Sequence, residues 1–294
     1  MKIILCGAKG QLGTECNGLL SQNHSVRALG SGELDIRDGK AVFAAVEDIN
    51  PDVIINCAAF TRVDACETER ESAYALNVKG PENLARAAKE RDALLIHISS
   101  DYVFDGKKEV PVPYLESDPT GPVSFYGRTK WEGEEAVRNE CPRHMIVRTA
   151  WLYGERGGNF LKTMLRLATG RPDQPIRVVN DQYGSPTWAR RLAMQIGALI
   201  MSGKGGTYHA TSEGWCTWYE LAVFFLETMG IRREVLPIST NEYPTAARRP
   251  KNSILENSRL KEEGINVMVD WREDVMEFSR RAGKLLILEA QGGR

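Results

Sequence analysis

The chain has 294 residues, 42% of them apolar and 26% charged, with a formal net charge of −1. That composition belongs to a globular protein able to bury a sizeable core, and it excludes an electrostatic case for nucleic acid or an acidic membrane. No stretch approaches the roughly 20 apolar residues of a membrane span, and the six cysteines lack Cys-x-x-Cys spacing, so free thiols in a reduced, cytoplasmic compartment are expected.

Lys2 to Cys6 is a short apolar run, too short for a signal peptide, and is expected to form a buried parallel strand. Gly7-Ala8-Lys9-Gly10-Gln11-Leu12-Gly13 follows, and a helical pattern then runs to about Leu20. Glycines between a strand and a helix permit a tight turn and close backbone approach to a pyrophosphate. The helix N-terminus adds unpaired N–H groups for the phosphates. A dinucleotide site is expected here.

Ser25 to Leu29 is the second expected strand. No carboxylate follows it until Glu33, and Arg27 is available either to a 2′-phosphate or to solvent. NADPH and NADH therefore both stay open, with a slight lean to NADPH. Asp38 suits an N-cap. Asp52 to Asn56 is the third strand, running into the small-residue stretch Cys57-Ala58-Ala59-Phe60-Thr61. A helical stretch over Glu67 to Arg91 is interrupted near Gly80-Pro81, and Leu94 to Ile98 is the fourth strand.

Ser99-Ser100-Asp101 lies where an open parallel sheet binds its ligands, beyond a strand's carboxyl end. The proline-rich stretch from Pro111 to Pro122 is expected to run over the surface and could cover the site. Next comes Tyr126-Gly127-Arg128-Thr129-Lys130, opening a helix from Ser124. Residues four apart share a helix face, so the phenol and the ammonium project together. A lysine there favours the phenolate and brings a sluggish acid toward useful proton transfer.

Strand and helix alternate to residue 150, which predicts an α/β fold: a doubly wound parallel sheet of Rossmann type. Residues 1–150 form the expected dinucleotide-binding domain. Residues 151–294 form a smaller α/β substrate-binding domain, with about 175–200 returning to the first. Thr217-Trp218-Tyr219-Glu220 has capping-box form, and Arg248-Arg249 would meet a diphosphate if the fold brought them to the site.

The glycine turn at 7–13, Leu34-Asp35-Ile36, Ala58 to Asp64, Ser99 to Phe104, Tyr126 to Lys130, Thr149 to Tyr153, Asn180 to Thr187 and Ala247 to Ser253 agree in kind and order with one family. Together they resemble the dTDP-4-dehydrorhamnose reductases, extended short-chain dehydrogenase/reductases of nucleotide-sugar metabolism. The resemblance implies reduction of a C4 keto group on a dTDP-sugar, with NADPH or NADH as cofactor. It makes Tyr126 the proton donor, Lys130 its electrostatic partner and a ribose contact, and Ser100 a second donor to the reacting oxygen, where a threonine is usual. It places Gly7, Gly10, Gln11 and Leu12 at the pyrophosphate, Asp35 and Ile36 near the adenine, and Ala58, Ala59, Phe60 and Thr61 along the cofactor. Asp101 and Trp151 join Ser100 and Tyr126 at the sugar, and Asn77 would help orient the lysine. A homodimer is compatible with it. Glu15 alone matches the acidic metal ligands of some relatives, so no metal is expected. The alternatives are a nucleotide-sugar epimerase or dehydratase, or a non-catalytic regulatory subunit of the methionine adenosyltransferase type.

Overall fold

The computed structural model describes residues 1–170 and 174–292; residues 171–173 and 293–294, in the expected second domain, lie outside it. Five apolar runs form parallel strands: β1 (Lys2–Cys6), β2 (Ser25–Leu29), β3 (Val53–Asn56), β4 (Leu94–Ser100) and β5 (His144–Thr149). The crossovers carry α1 (Gln11–Leu20), α2 (Gly39–Ile49), α3 (Arg70–Tyr74), α4 (Gly80–Glu90) and α5 (Phe125–Glu140). Asp38 caps α2, its carboxylate accepting from Lys40 N and Ala41 N. Ser124 caps α5, its hydroxyl accepting from Gly127 N at 3.1 Å.

The expected interruption of the helix after Glu67 lies earlier than Gly80-Pro81. A wider, π-type turn over Ala75–Lys79 separates α3 from α4, and Pro81 sits in the first turn of α4, where its missing N–H costs nothing.

Beyond β5 come β6 (Leu152–Tyr153), α6 (Phe160–Gly170), β7 (Ile176–Val179), β8 (Tyr183–Gly184), β9 (Thr187–Trp188), α7 (Ala189–Ser202) and β10 (Gly206–His209). They are followed by β11 (Cys216–Thr217), α8 (Trp218–Thr228), β12 (Val235–Ile238), α9 (Ser258–Glu262) and α10 (Trp271–Gly292). The main sheet has the order β10-β5-β4-β3-β1-β2. Succession runs one way from β1 to β2 and the other way from β1 to β3. The ligand crevice of such a sheet opens at this reversal, beyond the strands' carboxyl ends.

Both faces of the sheet are apolar, as a covered parallel sheet requires. Ile3, Leu5, Val53 and Ile55 pack with Leu12 and Cys16 of α1 and with Leu192, Ile196 and Leu199 of α7. Ile4, Ile54, Leu95 and Ile146 pack with Val42, Val46, Leu84 and Val137 of α2, α4 and α5. A separate core joins Leu161 and Leu165 of α6, Phe225 of α8 and Trp271 and Phe278 of α10. Of the stretch from 175 to 200, Leu192 to Ile200 join the first core, whereas β7 pairs with β12 in parallel. We propose a two-domain division along these cores, residues 1–150 being joined by α7, β10 and the segment carrying Leu260 and Met268. Among the described residues, no helix is long and apolar enough to cross a membrane.

Candidate active site

The turn after β1 is built for backbone proximity. Gly7 has φ of +74°, and a Cβ on it would lie 2.6 Å from Ala58 N, so the β1 and β3 loops touch. A Cβ on Gly13 would lie 2.2 Å from Gly7 O, so α1 rests directly on the turn. The N-terminus of α1 has no side-chain cap and no acidic residue in its first turn. Unclaimed N–H groups beside a flat glycine floor fit the pyrophosphate of a nicotinamide dinucleotide. Gly13→Ala is expected to cost about 1–3 kcal/mol through overpacking and to weaken NADPH binding, both measurable by thermal unfolding with and without cofactor.

From this turn a cavity of about 650 Å³ extends past the ends of β3, β4 and β5 to α8. Gly10, Gln11, Leu12, Ala59 and Thr61 line it, as do Ser100, Asp101, Tyr126, Lys130 and Trp151. Five expected residues lie off the lining. Gly7 and Ala58 support the floor at their mutual contact. Phe60 is fixed through its backbone, its N–H donating to Asn77 Oδ1 at 2.8 Å. Asp35 is half-buried and ion-paired with Arg37 at 2.7 Å, and Ile36 is buried against Gly80. No residue of 107–122 is among those lining the cavity. That loop packs elsewhere, Tyr114 stacking on Phe104 with centroids 4.4 Å apart and its N–H donating to Ile254 O.

The chemistry-bearing groups meet where α5 passes the end of β4. Ser100 and Tyr126 line the cavity side by side, and Ser100 Oγ donates to Asp101 Oδ1 at 2.8 Å. Lys130 Nζ donates to Ile98 O at 2.7 Å, which pins the amine at the same strand end. Burial draws the Lys130 amine down to about 8, against the opposing pull of Glu134. Burial pushes the Tyr126 phenol above its ordinary value, and Ser100 counters only in part. The lysine does not lower the phenol here as its spacing suggests. The site thus holds a protonated phenol, which suits a proton donor. Asp101 is also buried and its carboxyl is pushed up to about 6. Asn77 braces the floor rather than the lysine, its Nδ2 donating to Phe60 O at 3.1 Å and Thr129 Oγ1 at 3.0 Å.

The far wall is aromatic. Trp151 has φ of +47°, a left-handed conformation that costs a bulky residue about 1–3 kcal/mol. It is held by Trp218, stacked at 3.5 Å and 6°, and by Gly184, where a Cβ would lie 2.4 Å from the indole. Sequence reasoning missed Trp218, which sits one residue inside the Thr217 capping box. It also missed Glu134, which is fully buried one turn beyond Lys130. Glu134 accepts from Ser99 Oγ at 2.5 Å and from Arg148 at 2.9 and 2.7 Å. Its i+4 spacing from Lys130 was the available signal. Among the described residues no group of three or more metal-binding side chains converges, and Glu15 faces Arg190 at 3.5 Å.

A glycine turn at the reversal of a parallel sheet, with a serine, a tyrosine and a lysine at one strand end, defines an extended short-chain dehydrogenase/reductase. Within that class the chain belongs to the family described as RmlD substrate binding domain, whose model matches residues 1–283. It is 40% identical over 278 residues to the spore coat polysaccharide biosynthesis protein SpsK of Bacillus subtilis, covering 94% of this chain and 96% of that one. It is 38% identical over 293 residues to the dTDP-4-dehydrorhamnose reductase of Escherichia coli, covering 94% and 96%. A solved dTDP-4-dehydrorhamnose reductase from Clostridium acetobutylicum superposes with a TM-score of 0.93 at 41% identity, over 96% of this chain and 100% of that one. One from Bacillus anthracis, in complex with NADP, gives 0.92 at 39%, over 95% and 99%.

Proposed function

We propose that the protein reduces the C4 ketone of dTDP-4-dehydro-L-rhamnose to give dTDP-L-rhamnose, using NADPH or NADH, as a cytoplasmic enzyme. The observation that carries this reading is the meeting of Ser100, Tyr126 and Lys130 in one cavity continuous with the glycine turn. The names of the relatives support the substrate. Gly10, Gln11 and Leu12 would hold the cofactor's pyrophosphate, with Ala59 and Thr61 along its length. When bound, the reduced cofactor supplies the hydride that the carbonyl carbon receives.

Tyr126 gives its phenolic proton to the carbonyl oxygen as negative charge grows there, and Ser100 holds the same oxygen through a second hydrogen bond. Lys130 stabilises the phenolate left behind, its ammonium already oriented by Ile98 O. The Trp151 and Trp218 wall confines the sugar and excludes water from the reacting centre. For the cofactor, Arg27 is exposed on β2 and the Bacillus anthracis relative is described with NADP, so NADPH is expected to be the better donor.

The test is loss of reduced-nicotinamide absorbance with purified protein, each cofactor in turn, and the keto-sugar made in situ. Substrate-dependent loss with dTDP-L-rhamnose as product is expected. Cofactor binding without turnover of this substrate would overturn the proposal.

A further inference from the structure

Ser100 has one proton, and the reaction asks for it at the carbonyl oxygen. The fold directs it elsewhere. Ser100 caps the single turn Asp101–Val103 that follows β4, its Oγ accepting from Tyr102 N at 3.2 Å. The same Oγ lies 2.8 Å from Asp101 Oδ1. An ionised carboxylate can only accept. Against ionised Asp101 the serine must therefore donate to the carboxylate, and it has no proton left for a substrate. Protonated Asp101 reverses that bond. Its carboxyl O–H donates to Ser100 Oγ, so the acid and Tyr102 N–H together fill both lone pairs. The serine proton is then free for the cavity that Ser100 and Tyr126 line.

The surroundings favour the acid form. Asp101 is 2% exposed, and its Oδ2 has no hydrogen-bond partner among the described residues. The cations lining the cavity are engaged elsewhere, Lys130 Nζ by Ile98 O at 2.7 Å and Arg249 by Asp64 at 2.8 Å. A buried carboxyl without a counter-charge takes up a proton more readily than one in water, and that of Asp101 is pushed up to about 6. Two phenols face it, Tyr102 of its own turn and Tyr126 of α5, both raised above their ordinary value by burial. The hydroxyls of Ser100 and Ser253 complete its surroundings. None of these groups titrates between about pH 5 and pH 7.5.

Resting on the reductase reading for the reaction itself, we propose that Asp101 is a positioning residue, which must be protonated for Ser100 to donate to the substrate's carbonyl oxygen. It sets the direction of the serine proton and transfers none to the sugar.

The experiment follows kcat/KM for the keto-sugar, with saturating NADPH, from about pH 5 to pH 7.5. In wild type it is expected to fall as pH rises above about 6, approaching tenfold per pH unit. Asp101→Asn offers Ser100 Oγ an N–H that cannot ionise, so its profile should be flat and its ratio to wild type should climb over the same range. Ser100→Ala removes the proton being directed; at the acid end it should lose about 100- to 1,000-fold, and the pH dependence should go with it. A level wild-type profile would overturn the assignment, as would persistence of the wild-type fall in either variant, because the titrating group or its target would then be another. Absence of turnover in wild type at every pH would instead sink the reductase reading. The infrared band of a protonated carboxyl in the unliganded protein still judges Asp101 in that case. It is expected to titrate near pH 6 and to vanish in Asp101→Asn, and its absence from wild type counts against the proposal.

Discussion

Tyr126→Phe is expected to lower kcat by roughly 100- to 10,000-fold, the usual worth of a positioned proton donor. Cofactor affinity should change little, because the ring and its edge-on contact with Tyr102 survive the loss of one oxygen. The argument rests on where the proton is. Burial keeps the phenol protonated, and Ser100 and Asp101 bound it on the β4 side. Phenylalanine fills the same space and has nothing to give. Stopped-flow oxidation of bound NADPH would show the loss directly, and turnover within a few-fold of wild type would remove Tyr126 from the reaction. In the wild type, kcat should fall as pH rises through about 8, because Lys130 loses its charge there instead of near 10.5.

Glu134→Ala should be the most damaging change to the fold near the site. Glu134 is fully buried, and burial alone would push its carboxyl up. Arg148, Ser99 and Arg138 together hold it below the ordinary range. Arg148 is itself buried, and its Nη1 already has no hydrogen-bond partner among the described residues. Removing the carboxylate leaves a guanidinium in the interior with its main counter-charge gone, which costs about 3–5 kcal/mol. Urea unfolding of the two proteins would measure this; a loss below about 1 kcal/mol would show that Glu134 is not the counter-charge Arg148 depends on. Since Ser99 donates to Glu134 and precedes Ser100, folded Glu134→Ala protein should also lose activity.

What was legible in the sequence was local or periodic. The strands of the first half are runs of apolar residues between turns, and Asp38 and Thr217 announce their helices through chemistry within a few residues. Tyr126 and Lys130 are one helical turn apart, so their meeting needs no tertiary knowledge. The parts that stayed hidden depend on residues that are distant in sequence. Asp64 and Arg249 are 185 positions apart, and nothing near either one signals the other. Trp151 and Trp218 stack only because β11 pairs with β8 and brings α8 back to the cavity. Asp35 is placed near the adenine by family resemblance alone, and its pairing with Arg37 two residues on is the one contact of it that the local sequence explains. The wider turn at Ala75–Lys79 has no composition of its own; it follows from Asn77 reaching both Phe60 and Thr129.

The last strand of the main sheet has a bearing on how the chain matures. β10 comes from residues 206–209, and the core around Ile3 and Leu5 is closed by Leu192, Ile196, Leu260 and Met268. A nascent chain that has emerged only through β5 lacks its edge strand and the apolar cover over α1. It must wait, with β1 in hand, until the chain has been made as far as Met268. The excursion that builds the sugar side of the cavity lies inside that interval. The first core therefore closes only after the residues of the sugar side have been made, and the cleft between the two follows that closure.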